Sequence, residues 1–142
     1  MNKRNIILIG MPGAGKSSVG VILAKVLGYE FIDTDLVIQH REKRLLREII
    51  ADEGNEGFLA IENEVNATLE ANKSVIAPGG SAIYGKEAME HFKEIGTIVY
   101  LKLSYEDLAK RLGNLKGRGV VLKEGQTLKD LYDERSKLYE QY

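Results

Sequence analysis

Residues 6–17 read Ile6-Ile7-Leu8-Ile9-Gly10-Met11-Pro12-Gly13-Ala14-Gly15-Lys16-Ser17, four aliphatics running into an octet of the form G-x-x-x-x-G-K-[ST]. A continuous aliphatic run suits a strand covered on both faces. Beyond the octet, Val19, Ile22, Leu23 and Val26 fall at i, i+3, i+4 and i+7. That spacing predicts an amphipathic helix over Lys16–Leu27, stopped by Gly28. Between a strand and a helix, such a glycine loop curls so that its amides converge on phosphates. The positive end of the helix dipole falls at the same place. Lys16 would reach the β- and γ-phosphates and the Ser17 hydroxyl would ligate Mg2+. Gly13, Ala14, Gly15, Lys16, Ser17 and Ser18 are therefore the candidate nucleotide-binding set.

Working outward, short apolar runs alternate with helical stretches. Strands are expected at Tyr29–Asp33, Ser74–Ala77 and Thr97–Leu103, and helices at Leu45–Glu53, Phe58–Ala71, Lys86–Glu94 and from Leu128 onward. Ser104 and Asp107 form a capping box for one more helix. The alternation predicts an α/β fold with a mainly parallel sheet, which with the phosphate-loop octet makes a three-layer αβα arrangement of the P-loop NTPase type, and a Gly- and Lys-rich loop lies at about residues 112–126. The chain has 142 residues and no repeat or linker, which predicts one domain over 1–142. Hydrophobic residues are 44% and charged ones 29%, and 20 Lys and Arg face 21 Asp and Glu, a net charge of −1. Such neutrality argues against nucleic acid as a partner. There is no cysteine for disulfides or thiolate chemistry, and no apolar run near the roughly 18 residues of a membrane span. The apolar start is broken by Gly10 and Pro12, so it is no signal peptide. A cytoplasmic monomer acting on a small molecule is the expectation.

A phosphate loop specifies a nucleotide but not a reaction. Switch-type hydrolases place a metal-holding Asp on a later strand, yet Val75-Ile76-Ala77 runs into Pro78-Gly79-Gly80-Ser81 without a carboxylate. Asp33, expected on the strand beside the phosphate-loop strand, is the candidate for the metal. In Asp33-Thr34-Asp35 the two acids, if extended, point to one side, one towards Mg2+ and one towards an acceptor hydroxyl. The alternative is that Asp35 caps a following helix. Asn114-Leu115-Lys116-Gly117 is a poor match to a guanine-reading signature, which argues against a GTPase. His40 and His91 lie in polar stretches and are expected at the surface, like the mixed-charge run His40–Arg44. Tyr132, Tyr139 and Tyr142 on the last helix are expected to pack rather than to touch a cofactor.

The chain resembles the shikimate kinase family along nearly its whole length, through Gly10–Ser17, Phe31-Ile32-Asp33-Thr34-Asp35, Phe58 with Glu62, Gly79-Gly80, Arg111 and Arg118, and Arg135 with Leu138-Tyr139. The resemblance implies phosphoryl transfer from ATP, with Mg2+, to a hydroxyl of shikimate or a related hydroxy acid or polyol. It implies that Lys16, Asp35 and Arg118 are catalytic and that Ser17 and Asp33 serve the metal. Arg111 would stack on adenine, and the loop at about residues 112–126 would be a lid whose Arg118 reaches both substrate and transferred phosphate. Asp35, Gly79, Gly80, Ser81, Arg118 and Arg135 would line the substrate site, with Arg135 on its carboxylate. Three departures stand out. Leu59 occupies the place of a carboxylate-binding arginine, although Glu62, which would steady that arginine at i+3, is present. Ser81 replaces the third glycine of a Gly-Gly-Gly. Tyr142 falls inside what the resemblance makes the last helix before a fifth strand, so the adenine-covering loop and closing helix are expected beyond it. Competing readings are a non-catalytic, regulatory nucleotide-binding relative, a gluconate-type kinase, and a nucleoside monophosphate kinase, for which there is no second base-reading signature.

Overall fold

A computed structural model describes residues 4–11, 14–112 and 127–142. Four parallel strands, β1 (Asn5–Ile9), β2 (Glu30–Asp33), β3 (Ser74–Ala77) and β4 (Gly96–Tyr100), form one sheet in the order β2-β3-β1-β4. Ile6 pairs with Val75, Phe31 with Val75, and Asn5 through Ile9 with Gly96 through Tyr100. The α/β reading holds. The expectation that Asp33 lies on the strand beside β1 does not, because β3 intervenes. Burial explains the order. All four β3 residues are buried, whereas β2 is exposed at Glu30 and half-buried from Phe31 to Asp33, so the drier strand takes the centre and β2 the edge.

Helix α1 (Lys16–Leu27) has the expected bounds but lies on a different face. Its buried residues are Lys16, Gly20 and Ala24, while Val19, Ile22 and Val26 are 43%, 65% and 76% exposed. Gly20 decides this. A Cβ there would sit 2.6 Å from the Phe31 ring, so the helix beds its smallest residues against the sheet. Ala24 packs with Leu8 and Val75 on this side. The opposite side of the sheet carries Ile7, Ile9 and Ile76 under α4 (Lys86–Ile95), α5 (Tyr105–Leu112) and α6 (Leu128–Glu140), through Met89, Leu108 and Leu131.

Helices α2 (Thr34–Glu42) and α3 (Leu46–Ala67) share a separate cluster of Ile38, Ile49, Phe58 and Val65. The two helices expected at 45–53 and 58–71 are one bent rod, broken at Gly54 (φ 75°, ψ 174°) and finished at Ala67. Ile61 and Leu69, expected inside, are half-buried; Glu62 and Asn66 take the buried stripe with Phe58 and Val65. Beyond Gly79, a short 3-10 helix, Gly80–Tyr84, leads into α4. At the start of β1, Asn5 donates to the carbonyls of Ala71 and Ile95 and accepts from the Ser74 amide, locking three connections to the sheet. Ser104 accepts from the Asp107 amide at 3.3 Å, and its hydroxyl donates to the Asp107 carboxylate. The expected lid at 112–126 lies outside the described residues, apart from Leu112 at the end of α5.

Candidate active site

The carboxyl end of the sheet is where open α/β folds bind ligands, and the described candidates meet there. Gly15 caps α1 in the left-handed region (φ 93°) and turns the chain from loop into helix. Lys16 then folds back under the loop, donating to the Gly10 and Met11 carbonyls. Its ammonium is nearly buried, and that burial lowers its pKa to about 8, with Asp35 opposing and Arg135 reinforcing the shift. Ser17 and Ser18 are exposed in the first turn. No group of three His, Cys, Asp or Glu residues that could cage an ion occurs among the described residues. The Ser17 hydroxyl and the Asp33 carboxylate, whose charge acts on Lys16, suit Mg2+, which keeps waters and leans on substrate phosphates rather than a protein cage. Ser17 and Asp33 are the residues that would hold it.

Asp33 and Asp35 are not two teeth of one extended strand. Asp33 ends β2 and caps α2, its Oδ1 accepting from the Asp35 amide at 2.9 Å. The cap foreseen as an alternative for Asp35 is thus made by Asp33. Asp35 stands in the first turn, released to face Gly79. A Cβ on Gly79 would lie 2.8 Å from Asp35 Oδ1 and 3.1 Å from Glu62 Oε2, so both acids press on the bare α-carbon. Burial, then the Asp33 charge, raises the Asp35 carboxyl to about 6 against the pull of Lys16. That value suits a group exchanging a proton near neutrality.

Glu62 is 1% exposed. Burial pushes its carboxyl up to about 8, although the Ser81 hydrogen bond, Arg135 and Lys16 pull the other way. Ser81, expected to line the substrate site, donates to Glu62 Oε1 at 2.7 Å. Leu59 is half-buried and packs on the Ile38–Phe58 cluster. Glu62 entered the sequence reading only as support for an arginine. Its signal was its place four residues after Phe58 on the inward stripe of α3.

Arg135, for which ordinary surface was the plain alternative, is 1% exposed and lies 5.5 Å over the Tyr84 ring. Leu131, Arg135 and Tyr139 form the buried stripe of α6. Tyr139 donates to the Gly80 carbonyl at 2.6 Å, and burial raises its pKa. Tyr132 donates to the Leu103 carbonyl. Both tyrosines pack, as expected. His40 is exposed, while His91 is half-buried with its ring on the Leu69 carbonyl. Arg44 is tied to Glu42, Asp52 and Glu53, so this stretch of the charged run is an ordered ion-pair cluster. Gly13, the Arg111 side chain and Arg118 lie outside the described residues.

The family model described as shikimate kinase matches residues 12–142. Shikimate kinase 2 of Yersinia pseudotuberculosis is 34% identical over 146 aligned positions, spanning 96% of this chain and 82% of the relative. Its counterpart in Yersinia enterocolitica is also 34% identical, over 97% and 82%. Among solved structures, a shikimate kinase from Acinetobacter baumannii in complex with shikimate superposes with a TM-score of 0.86 at 35% identity, covering 97% of this chain and 79% of that one. The Aquifex aeolicus enzyme gives 0.78 at 31%, covering 96% and 82%. Family match, relatives and superposed structures all point to one family. The chain therefore belongs to the shikimate kinase family, and with it to the phosphotransferases that use ATP and Mg2+ to phosphorylate an alcohol.

Proposed function

We propose that this enzyme transfers the γ-phosphate of ATP to a hydroxyl of shikimate. The observation that carries the reading is the Asp35 carboxylate, held against Gly79 and coupled electrostatically to Lys16 at the carboxyl end of the sheet. Asp35 orients the acceptor hydroxyl and takes its proton as the new O–P bond forms and the β–γ P–O bond breaks. Lys16 leaves the Gly10 and Met11 carbonyls for the phosphates and holds negative charge through the transfer. Loop amides at Gly13, Ala14 and Gly15, with Ser17 and Ser18, orient the phosphate tail; Asp33 steadies the metal's water shell. When bound, Mg2+, which Ser17 and Asp33 would hold, would supply neutralisation of charge on the transferred phosphate. Arg135, buried and braced over Tyr84, takes the acceptor carboxylate. Arg111 on adenine and Arg118 on the transferred phosphate are carried over from the family motif. One compact domain acting as a monomer on a small molecule fits this assignment.

The test is ADP release in the presence of shikimate, quinate and gluconate, for the wild type and Asp35→Asn. Shikimate-dependent turnover, reduced at least about a hundredfold in Asp35→Asn, is expected. ATP binding without acceptor-dependent turnover on any of the three would refute the kinase reading and favour a regulatory relative. Preference for gluconate would reassign the acceptor.

A further inference from the structure

Arg135 is a cation taken almost wholly out of water, at 1% exposure. A buried guanidinium persists only where neighbours hold it, and its planar fork matches a carboxylate in few orientations. Part of that hold comes from the 3-10 helix Gly80–Tyr84. The Ala82 amide donates to the Gly79 carbonyl at 3.1 Å and the Gly85 amide to the Ala82 carbonyl at 2.9 Å, while Ser81, Ala82 and Ile83 are buried. Tyr84, its last residue, lies against Arg135 with the guanidinium carbon 5.5 Å from the ring centre, within the reach of a cation–π contact. The Tyr84 hydroxyl donates to the carboxylate of Glu134, the residue beside Arg135 on α6. Burial, then the Glu134 bond, raises the Tyr84 pKa against the pull of Arg135, so the phenol stays a donor at neutral pH. One side chain thus grips two consecutive residues of α6, one through its hydroxyl and one through its ring face.

We propose that Tyr84 is a positioning residue for acceptor binding: its ring face, latched to α6 through Glu134, sets the Arg135 guanidinium for the acceptor's carboxylate. This rests on the kinase reading above and on the role given there to Arg135. Leu59 brings no charge from α3 and packs on the α2–α3 cluster, so more of the carboxylate recognition falls to Arg135. A long side chain free to change rotamer would lose much of that recognition to entropy. An aromatic face suits the task because it attracts a cation without neutralising it, leaving the full charge for the ligand. A carboxylate in the place of Tyr84 would compete with the acceptor instead. The same short helix then serves both ends of the substrate, with Gly80 at its start beside the reacting hydroxyl and Tyr84 at its end behind the cation.

The experiment is calorimetric binding with Mg·ADP, and initial rates with Mg·ATP, of shikimate and of its carboxamide, which keeps the shape and loses the charge. Wild type, Tyr84→Phe, Tyr84→Leu and a form carrying pentafluorophenylalanine at position 84 are compared. The wild type should bind shikimate at least about thirtyfold more tightly than the carboxamide. Tyr84→Phe keeps the ring face and should hold that preference to within about threefold. Pentafluorophenylalanine reverses the ring quadrupole at nearly the same volume, and Tyr84→Leu removes the ring; each should cut the preference about tenfold. The loss should appear in KM for the acceptor, with kcat and KM for ATP within about threefold of wild type. A merely structural Tyr84 would weaken both ligands equally, or lower Tm with the preference unchanged. An unchanged preference in the pentafluorophenylalanine form overturns the proposal, as does a wild type that shows no preference. The expected pattern in binding, without turnover, would refute the kinase reading and leave the Tyr84 assignment standing; turnover with an unchanged preference does the reverse.

Discussion

Replacing Gly79 by alanine isolates the geometry on which the proposed chemistry depends. Gly79 has φ −62° and ψ 161°, a conformation open to any residue, so Gly79→Ala adds no backbone strain. What it adds is one methyl, 2.8 Å from Asp35 Oδ1 and 3.1 Å from Glu62 Oε2. Ordinary carbon contacts begin near 3.5 Å, so Asp35 must withdraw by more than about half an ångström or rotate away. A misplacement of about 1 Å at a reacting group can lower the rate a hundredfold. Here kcat should fall about 10- to 100-fold, or roughly 1.4–2.7 kcal/mol of transition-state stabilisation. Both crowded groups are side-chain ends, so unfolding free energy should drop by less than about 1 kcal/mol, a Tm shift of no more than about 4 °C. The loop and Lys16 are untouched, so KM for ATP should stay within about threefold. Steady-state kinetics with both substrates and a thermal melt decide the matter. Wild-type kcat in a folded Gly79→Ala variant would refute the placement of Asp35 at the reaction centre; a loss of kcat matched by a Tm drop beyond about 10 °C would show Gly79 to be structural instead.

Other outcomes follow from the same site. The profile of kcat/KM should rise with pH through about 6 as Asp35 loses its proton, and fall above about 8 as Lys16 and Glu62 lose theirs; a flat profile between pH 5 and 7 would remove Asp35 as base. Lys16→Met should cut turnover by roughly a hundredfold or more, yet move Tm by less than about 4 °C, because the lost contacts to two loop carbonyls offset relief of a buried ammonium. Leu59→Arg should raise kcat/KM for shikimate at least about thirtyfold, the lower end of what a buried charge pair contributes; no gain in a folded variant means position 59 does not set specificity. Asn66 is fully buried, and among the described residues neither polar atom of its side chain has a partner. Asn66→Leu should therefore stabilise the fold by about 1 kcal/mol, read as a rise in Tm.

Local sequence was enough to place the phosphate-loop motif, the four strands, the bounds of α1 and the inventory of acids, glycines and arginines. Each is a local matter: a motif of eight residues, a run of aliphatics, a helix with a glycine stop. It misread which face of α1 is buried, because hydrophobicity pointed to Val19, Ile22 and Val26 whereas the close fit of Gly20 on Phe31 set the contact. It took Asp33 and Asp35 as equivalents in an extended segment, whereas the start of α2 makes one a cap and the other a free carboxylate. Strand order, the burial of Arg135 and the meeting of Asp35, Glu62 and Ser81 around Gly79 were settled only by the tertiary structure. These depend on which strand competes best for the centre of the sheet, and on α6 closing over a turn 59 residues earlier, as in the Tyr139–Gly80 hydrogen bond. A charged side chain is driven inside by contacts distant in sequence, and local periodicity carries no record of them.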